Sequence, residues 1–181
     1  VELMQIMFPL DASIVTGNNT TLDDLINKKI NFGIPILGQI HQAVAAVIKE
    51  KNPQLEIIPM GGDGPKAFTA LLNKDIDVFT SSSPNAHEWV RKFPNQLRVL
   101  ADIPFNRGFT YNGVRIENLN FFGMFVSRDA TAEQKQAALD CINRAAQDPG
   151  HDEDFKKIGI TPNRIQGAEK NRLLTEHIKL L

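Results

Sequence analysis

The sequence predicts an α/β fold built on a largely parallel sheet, and three observations carry that prediction. Short apolar runs alternate with amphipathic ones along the whole chain, which is the pattern of βαβ units. The stretch 56–83 is one such unit in full. An apolar strand (55–58) enters the turn Gly61-Gly62-Asp63-Gly64, a helix follows, and a second apolar strand (76–79) leads to Thr80-Ser81-Ser82-Ser83. Both turns fall at strand carboxyl ends, where open α/β sheets place their ligands.

The elements follow in order. Residues 1–8 are apolar, and 12–16 reads as a strand that stops at Gly17-Asn18-Asn19, a turn signal. Thr20 or Thr21 caps the next helix, with Asp23 and Asp24 at its positive dipole end and Lys28 and Lys29 at the other. Residues 30–33 form a short strand, 35–38 a turn, and 39–51 a helix with Ile40, Val44, Val47 and Ile48 inward. In the 56–83 unit the helix opens at Pro65, whose fixed φ suits a first turn. Ala67, Phe68, Leu71 and Leu72 make its apolar face, and Asn73 and Lys74 close it. A helix over 84–92 and a strand over 97–101 come next, then an irregular segment over 102–120 with Pro104, Gly108 and Gly113. Residues 121–127 form an apolar strand. Thr131 caps a long helix to residue 148, with Gln134 completing a capping box. Pro149-Gly150 breaks that helix, a short one runs to Ile158 with Gly159 as its C-cap, 160–165 is extended, and 168–179 is helical. There is no internal repeat.

Composition narrows the function. Hydrophobic residues at 42% and charged ones at 23% of 181 exclude disordered and collagen-like classes. Twenty basic residues against 21 acidic ones, with no basic run, argue against nucleic acid or an anionic membrane surface as partner. The lone Cys141 excludes an intrachain disulfide, and no apolar run is long enough to span a bilayer.

The chemical candidates are few. His41, His87, His151 and His177 show no one-turn pairing and have no cysteine cluster, so no metal site is expected. His41, in the first turns of a helix, is the least ordinary of them and is read as making a structural hydrogen bond. Gly61-Gly62-Asp63-Gly64-Pro65-Lys66 has neither the spacing nor the hydroxyl of a phosphate loop. The serines at 81–83 lack the Gly-x-Ser-x-Gly frame and a placed base, so they read as a helix cap at Ser83 with ligand-donor hydroxyls. Three turns remain, each ahead of a helix whose free N–H groups favour an anion. They supply the candidate ligand residues Gly33, Ile34, Pro35, Gly38 and Gln39, then Gly62, Asp63 and Gly64, then Thr80, Ser81 and Ser82. Lys66 is the basic residue nearest to them, which suits a carboxylate held by neutral donors, with no cofactor and no catalysis.

A series of short motifs runs the length of the chain. It comprises Thr21-Leu22-Asp23-Asp24-Leu25, Phe32-Gly33 leading through Gly38 to His41, and Ile58-Pro59 with Gly62-Asp63-Gly64-Pro65. Asp75-Ile76-Asp77-Val78-Phe79, Phe122-Gly123-Met124-Phe125, Ala130-Thr131 and Asp148-Pro149 ahead of Phe155 follow. Their order resembles the substrate-binding receptors of tripartite tricarboxylate transporters, the Bug family. Ile34, Ile36 and Gln39 stand where that family usually has serine and an extra glycine, and Met60 and Gly61 replace its aromatic and basic pair.

The resemblance implies a type II periplasmic-binding-protein-like fold of two α/β domains with a hinge. Residues 17–101 would form the complete second lobe. Residues 1–16 and 102–181 would be the remainder of a first lobe that lacks its opening segment. It also implies a periplasmic receptor, its signal peptide not present in this chain, that captures a di- or tricarboxylate or an acidic amino acid for membrane permease subunits. A ligand-sensing effector domain of a regulatory protein is the alternative. Incomplete cover over 121–126 and over Leu139, Ile142 and Ala145 leads to an expectation of self-association.

Overall fold

The computed structural model describes residues 1–17, 19–35, 40–61, 64–157 and 160–180, the side chain of Leu180 excepted. In chain order the elements are β1 (Glu2–Pro9), β2 (Ala12–Gly17), α1 (Leu22–Asn27), β3 (Asn31–Ile34), α2 (Ile40–Lys51), β4 (Glu56–Pro59), α3 (Gly64–Leu72) and β5 (Val78–Ser82). They continue with α4 (Ser83–Lys92), β6 (Leu97–Ile103), β7 (Phe109–Tyr111), β8 (Val114–Ile116), β9 (Phe121–Val126), α5 (Ala132–Ala145), α6 (Pro149–Lys157) and α7 (Gly167–Leu180). The chain forms two compact units: Val1–Leu10 with Leu119–Lys179, and the segment that starts at Asp11 and ends at Asn118. It passes between them at residues 10–11 and 118–119.

The 11–118 unit carries a five-stranded sheet in the order β4-β3-β5-β2-β6. β3 is parallel to both β4 and β5, whereas β2 is antiparallel to β5 and to β6. An antiparallel strand therefore sits inside a sheet expected to be largely parallel. Ile14 and Val15 are adjacent on β2 and both fully buried, because each face of the sheet has its own cover. On Ile14's face lie Leu25 of α1, with Val44, Ala45 and Ile48 of α2 and Val114 and Ile116 of β8. On Val15's face lie Ala67, Phe68 and Leu71 of α3 with Ala86 of α4. Phe68 stacks on Trp89 at 4.5 Å and meets Phe79 edge-on at 4.6 Å. Each such ring taken out of water contributes about 1.5–3 kcal/mol. Buried Asn52 ends this packing without an unpaired amide, since its Nδ2 donates to the carbonyls of Leu25 and Lys28.

Two expectations in this unit change. The segment over 102–120 is not irregular throughout: β7 and β8 form an antiparallel hairpin. Its turn is Asn112-Gly113, with φ of 46° and 77°, the doubly positive pair that a two-residue hairpin requires. The strand expected over 76–79 instead runs from Val78 to Ser82, because Ser81 and Ser82 continue the ladder to Ser13 and Ala12 of β2.

The other unit is built on an antiparallel pair, β1 with β9, from Glu2 opposite Val126 to Pro9 opposite Phe121. Ile6 also bridges to Ile165. Leu3, Met4, Ile6 and Phe8 are buried from β1, together with Ile142 of α5 and Leu173 of α7. Phe8 lies 5.0 Å from Phe122 and 5.1 Å from Phe155. The expected capping box forms at Thr131 and Gln134, and Pro149 opens α6. Ile158 and Gly159, read as the end of that helix, lie outside the described residues. Among the described residues no helix is long and apolar enough to cross a membrane.

Candidate functional site

In the 11–118 unit, α2, α3 and α4 each begin within six residues of the end of β3, β4 and β5 respectively. Those three strands are neighbours and run parallel, so the three helix amino ends lie along one edge of the sheet. First-turn N–H groups have no partner within a helix, and the dipole there favours negative charge.

The candidate residues fall on this edge in different ways. Gly38, Gln39, Gly62 and Asp63 lie outside the described residues. Ile34 is a core side chain, and Gly33 and Pro35 are buried beside it. A Cβ on Gly33 would stand 2.5 Å from Ile76 Cδ1, so that glycine permits close packing within the unit. Gly64 is the first residue of α3, and an added Cβ there meets nothing within 4 Å.

Thr80, Ser81 and Ser82 are not in a turn. They are the end of β5, and Thr80 and Ser81 are buried. The helix cap is Ser82 rather than Ser83, and its side chain makes no capping bond. Ser83 is occupied elsewhere: its Oγ lies 2.7 Å from Ser13 Oγ, and Ser13 donates to Asp102 Oδ1 at 2.5 Å. His87 Nε2 lies 3.1 Å from the same carboxylate oxygen. These are the residue types of a nucleophilic triad in an unproductive order, because the carboxylate separates the serines from the imidazole. Their evident work is to fasten the start of α4 to β2 and β6. The buried Ser13 was not a sequence candidate, and the only signal for it was a serine inside an apolar strand.

His41 stands in the first turn of α2, and the Thr80 backbone is close enough to influence its ring. Burial holds its pKa below the ordinary histidine value, the Thr80 backbone opposing more weakly. Its Nδ1 and the Thr80 hydroxyl, both buried, have no hydrogen-bond partner.

A cavity of about 500 Å³ is at the other edge of the sheet, lined by Gly17, Leu71, Lys74, Asp77 and Gln96 among others. It is at the amino end of β5, away from the helix amino ends. Among the described residues no group of three or more His, Cys, Asp or Glu could hold a metal ion.

No family model and none of the curated proteins matches the chain. Solved structures do. An adipate-bound protein of R. palustris matches with a TM-score of 0.73 at 13% identity, over 98% of this chain and 66% of its own. The periplasmic binding protein BugD matches at 0.66 and 16%, over 89% and 59%. A TctC solute-binding protein from Polaromonas matches at 0.64 and 15%, over 98% and 67%. The chain has a periplasmic-binding-protein-like fold. It is the mixed α/β, type II-like class expected from the sequence, and the chain spans between 59% and 67% of the length of these structures.

Proposed function

We propose that the protein is a periplasmic solute-binding receptor that captures a small organic carboxylate, a di- or tricarboxylate or an acidic amino acid, for a tripartite transporter. One observation carries this reading: three helix amino ends along one sheet edge, with no side-chain cap on α4 and Lys66 as the basic side chain in their first turns. Such an edge offers neutral N–H donors to an anion. Gly33, Ile34, Pro35 and Gly64 with Thr80, Ser81 and Ser82 are the described residues proposed to line it, Ile34 through its backbone. Gly38, Gln39, Gly62 and Asp63 complete the proposal from the sequence. The likeness in fold to a TctC protein, to BugD and to an adipate-bound protein supports the same class, and permease subunits are the proposed partners.

A thermal-shift screen of succinate, citrate and L-glutamate against glucose tests it. A ligand at a hundred times its Kd adds about 2.7 kcal/mol of stability. Gly64→Val should weaken the response while leaving the unliganded melting temperature near its starting value, since the site has room for the side chain. Stabilisation by the sugar alone overturns the proposal.

A further inference from the structure

The cavity of about 500 Å³ at the far edge of the 11–118 sheet is lined by none of the residues proposed for the carboxylate. Its size is that of a small-molecule site. Leu71, Leu72 and Ile76 give it an apolar lining, while Lys74 and Asp77 bring opposite charges to it. Among the described residues neither charge has an ion-pair partner, although the two stand three positions apart. The lining is held in place from several sides. Asp77 Oδ2 accepts the Asn31 N–H at 2.8 Å and the Asp77 carbonyl accepts from Thr16 Oγ1 at 2.7 Å, which leaves Oδ1 open. On the loop after β2, the carbonyl of Thr20, also at the cavity, is held by Arg98.

Lys74 itself closes α3 in a Schellman motif. The Asp75 N–H donates to the Ala70 carbonyl at 2.9 Å, and the Lys74 N–H to that of Leu71 at 3.2 Å. Its φ is 66°, in the left-handed region where this motif favours glycine. A lysine at that position gives up backbone stability and gains a cation at the cavity.

We propose that this cavity is a second ligand site and that it takes an aliphatic α-amino acid. The carboxylate pairs with Lys74, the ammonium with Asp77 Oδ1, and the side chain covers Leu71, Leu72 and Ile76. A simple carboxylate would face Asp77 as a like charge, and a simple amine would face Lys74 in the same way. A zwitterion meets both residues with the opposite sign. The site lies at the opposite end of β5 from the carboxylate edge and does not depend on that reading.

Calorimetric titration of the protein with L-leucine tests the site, against analogues that each lack one part. Leucinol lacks the carboxylate, isocaproate the ammonium, and free glycine the aliphatic side chain. We expect L-leucine to bind about tenfold or more tightly than leucinol or isocaproate, as one lost charge-assisted contact requires. Free glycine should bind more weakly as well, because it leaves the apolar lining uncovered. Lys74→Gly should remove the preference over leucinol while raising the unfolding midpoint, since glycine suits that φ. Lys74→Arg should retain the preference. Asp77→Asn, which keeps an oxygen for the Asn31 N–H, should remove the preference over isocaproate. Loss in Lys74→Arg as large as in Lys74→Gly overturns the inference. So does binding that survives in Lys74→Gly and Asp77→Asn but is lost in Gly64→Val, which would place the amino acid at the carboxylate edge. Absence of L-leucine binding, or equal binding of L-leucine and its analogues, overturns it too and leaves the carboxylate reading standing.

Discussion

β5 and β9 are similar strands with opposite fates. Both are short and carry phenylalanine, yet Val78 and Phe79 of β5 are 0% exposed while Phe122 and Phe125 of β9 are 54% and 52% exposed. β5 is the middle strand of five, with helices over both faces. Among the described residues β9 pairs with β1 alone. The side chains of a strand decide that it is a strand, but its neighbours decide how much of it leaves water. The same contrast separates a unit with a layered core from one whose sheet presents aromatic rings at the surface.

The largest effect should come from testing that contrast directly. Phe79→Ala should cost about 3–5 kcal/mol, because the ring leaves a cavity against Phe68 that the layered core cannot close. Phe125→Ala should stay within roughly 0.5 kcal/mol. Urea unfolding of both variants measures the difference, and equal losses would mean that β9 is as well covered as β5.

Two glycines sharpen it. A Cβ added at Gly33 meets Ile76 Cδ1 at 2.5 Å, and one added at Gly123 meets Leu3 Cδ1 at 2.5 Å. Ile76 is fully buried, so Gly33→Ala should destabilise by about 1–3 kcal/mol, part of it recovered by Ile76→Val. Around Gly123 the other close atom beyond Phe121 belongs to the exposed Phe125 ring, which can turn outward. Gly123→Ala should therefore cost less than its counterpart when the unfolding midpoints of the two are compared.

The exposed rings of β9 should also drive weak association of the chain, as large uncovered apolar patches do. Light scattering across a dilution series should show the mean mass rising with concentration, and Phe122→Ser with Phe125→Ser should flatten that rise. A constant monomer mass at every concentration would show that the face is inert.

The smallest effect concerns charge. Asp24 is held down to about 2, first by its hydrogen bond to Lys28 and then by Thr21. A carboxylate with a folded pKa below its ordinary 3.8 favours folding above that value and loses the contribution as pH falls through about 2. The stability difference between wild type and Asp24→Asn should thus be steady from pH 5 to 7 and shrink between about pH 4 and 2. Glu2, lowered by its bond to Lys135 in the other unit, should behave in the same direction in Glu2→Gln. Denaturant midpoints measured across that range follow both.

The sequence by itself determined what is settled within a few residues. Thr21 with Asp24 and Thr131 with Gln134 close reciprocal caps three residues apart, so those helix starts were legible. That a helix follows each of β3, β4 and β5 was legible in the same way, and with it the sheet edge proposed to carry the site. The Asn112-Gly113 turn was equally local, but strands of three residues are too short to show alternation on their own. Only the tertiary structure decided the rest. It inserted β2 between β5 and β6, drew Thr80–Ser82 from an expected turn into a strand, and set Ser13 against Ser83 and Asp102 across 70 and 89 positions of sequence. It also buried His41 Nδ1 and the Thr80 hydroxyl, leaving both unpaired. These pairings are chosen by which strands can bury both faces at once, and that is a property of the assembled sheet rather than of any one segment.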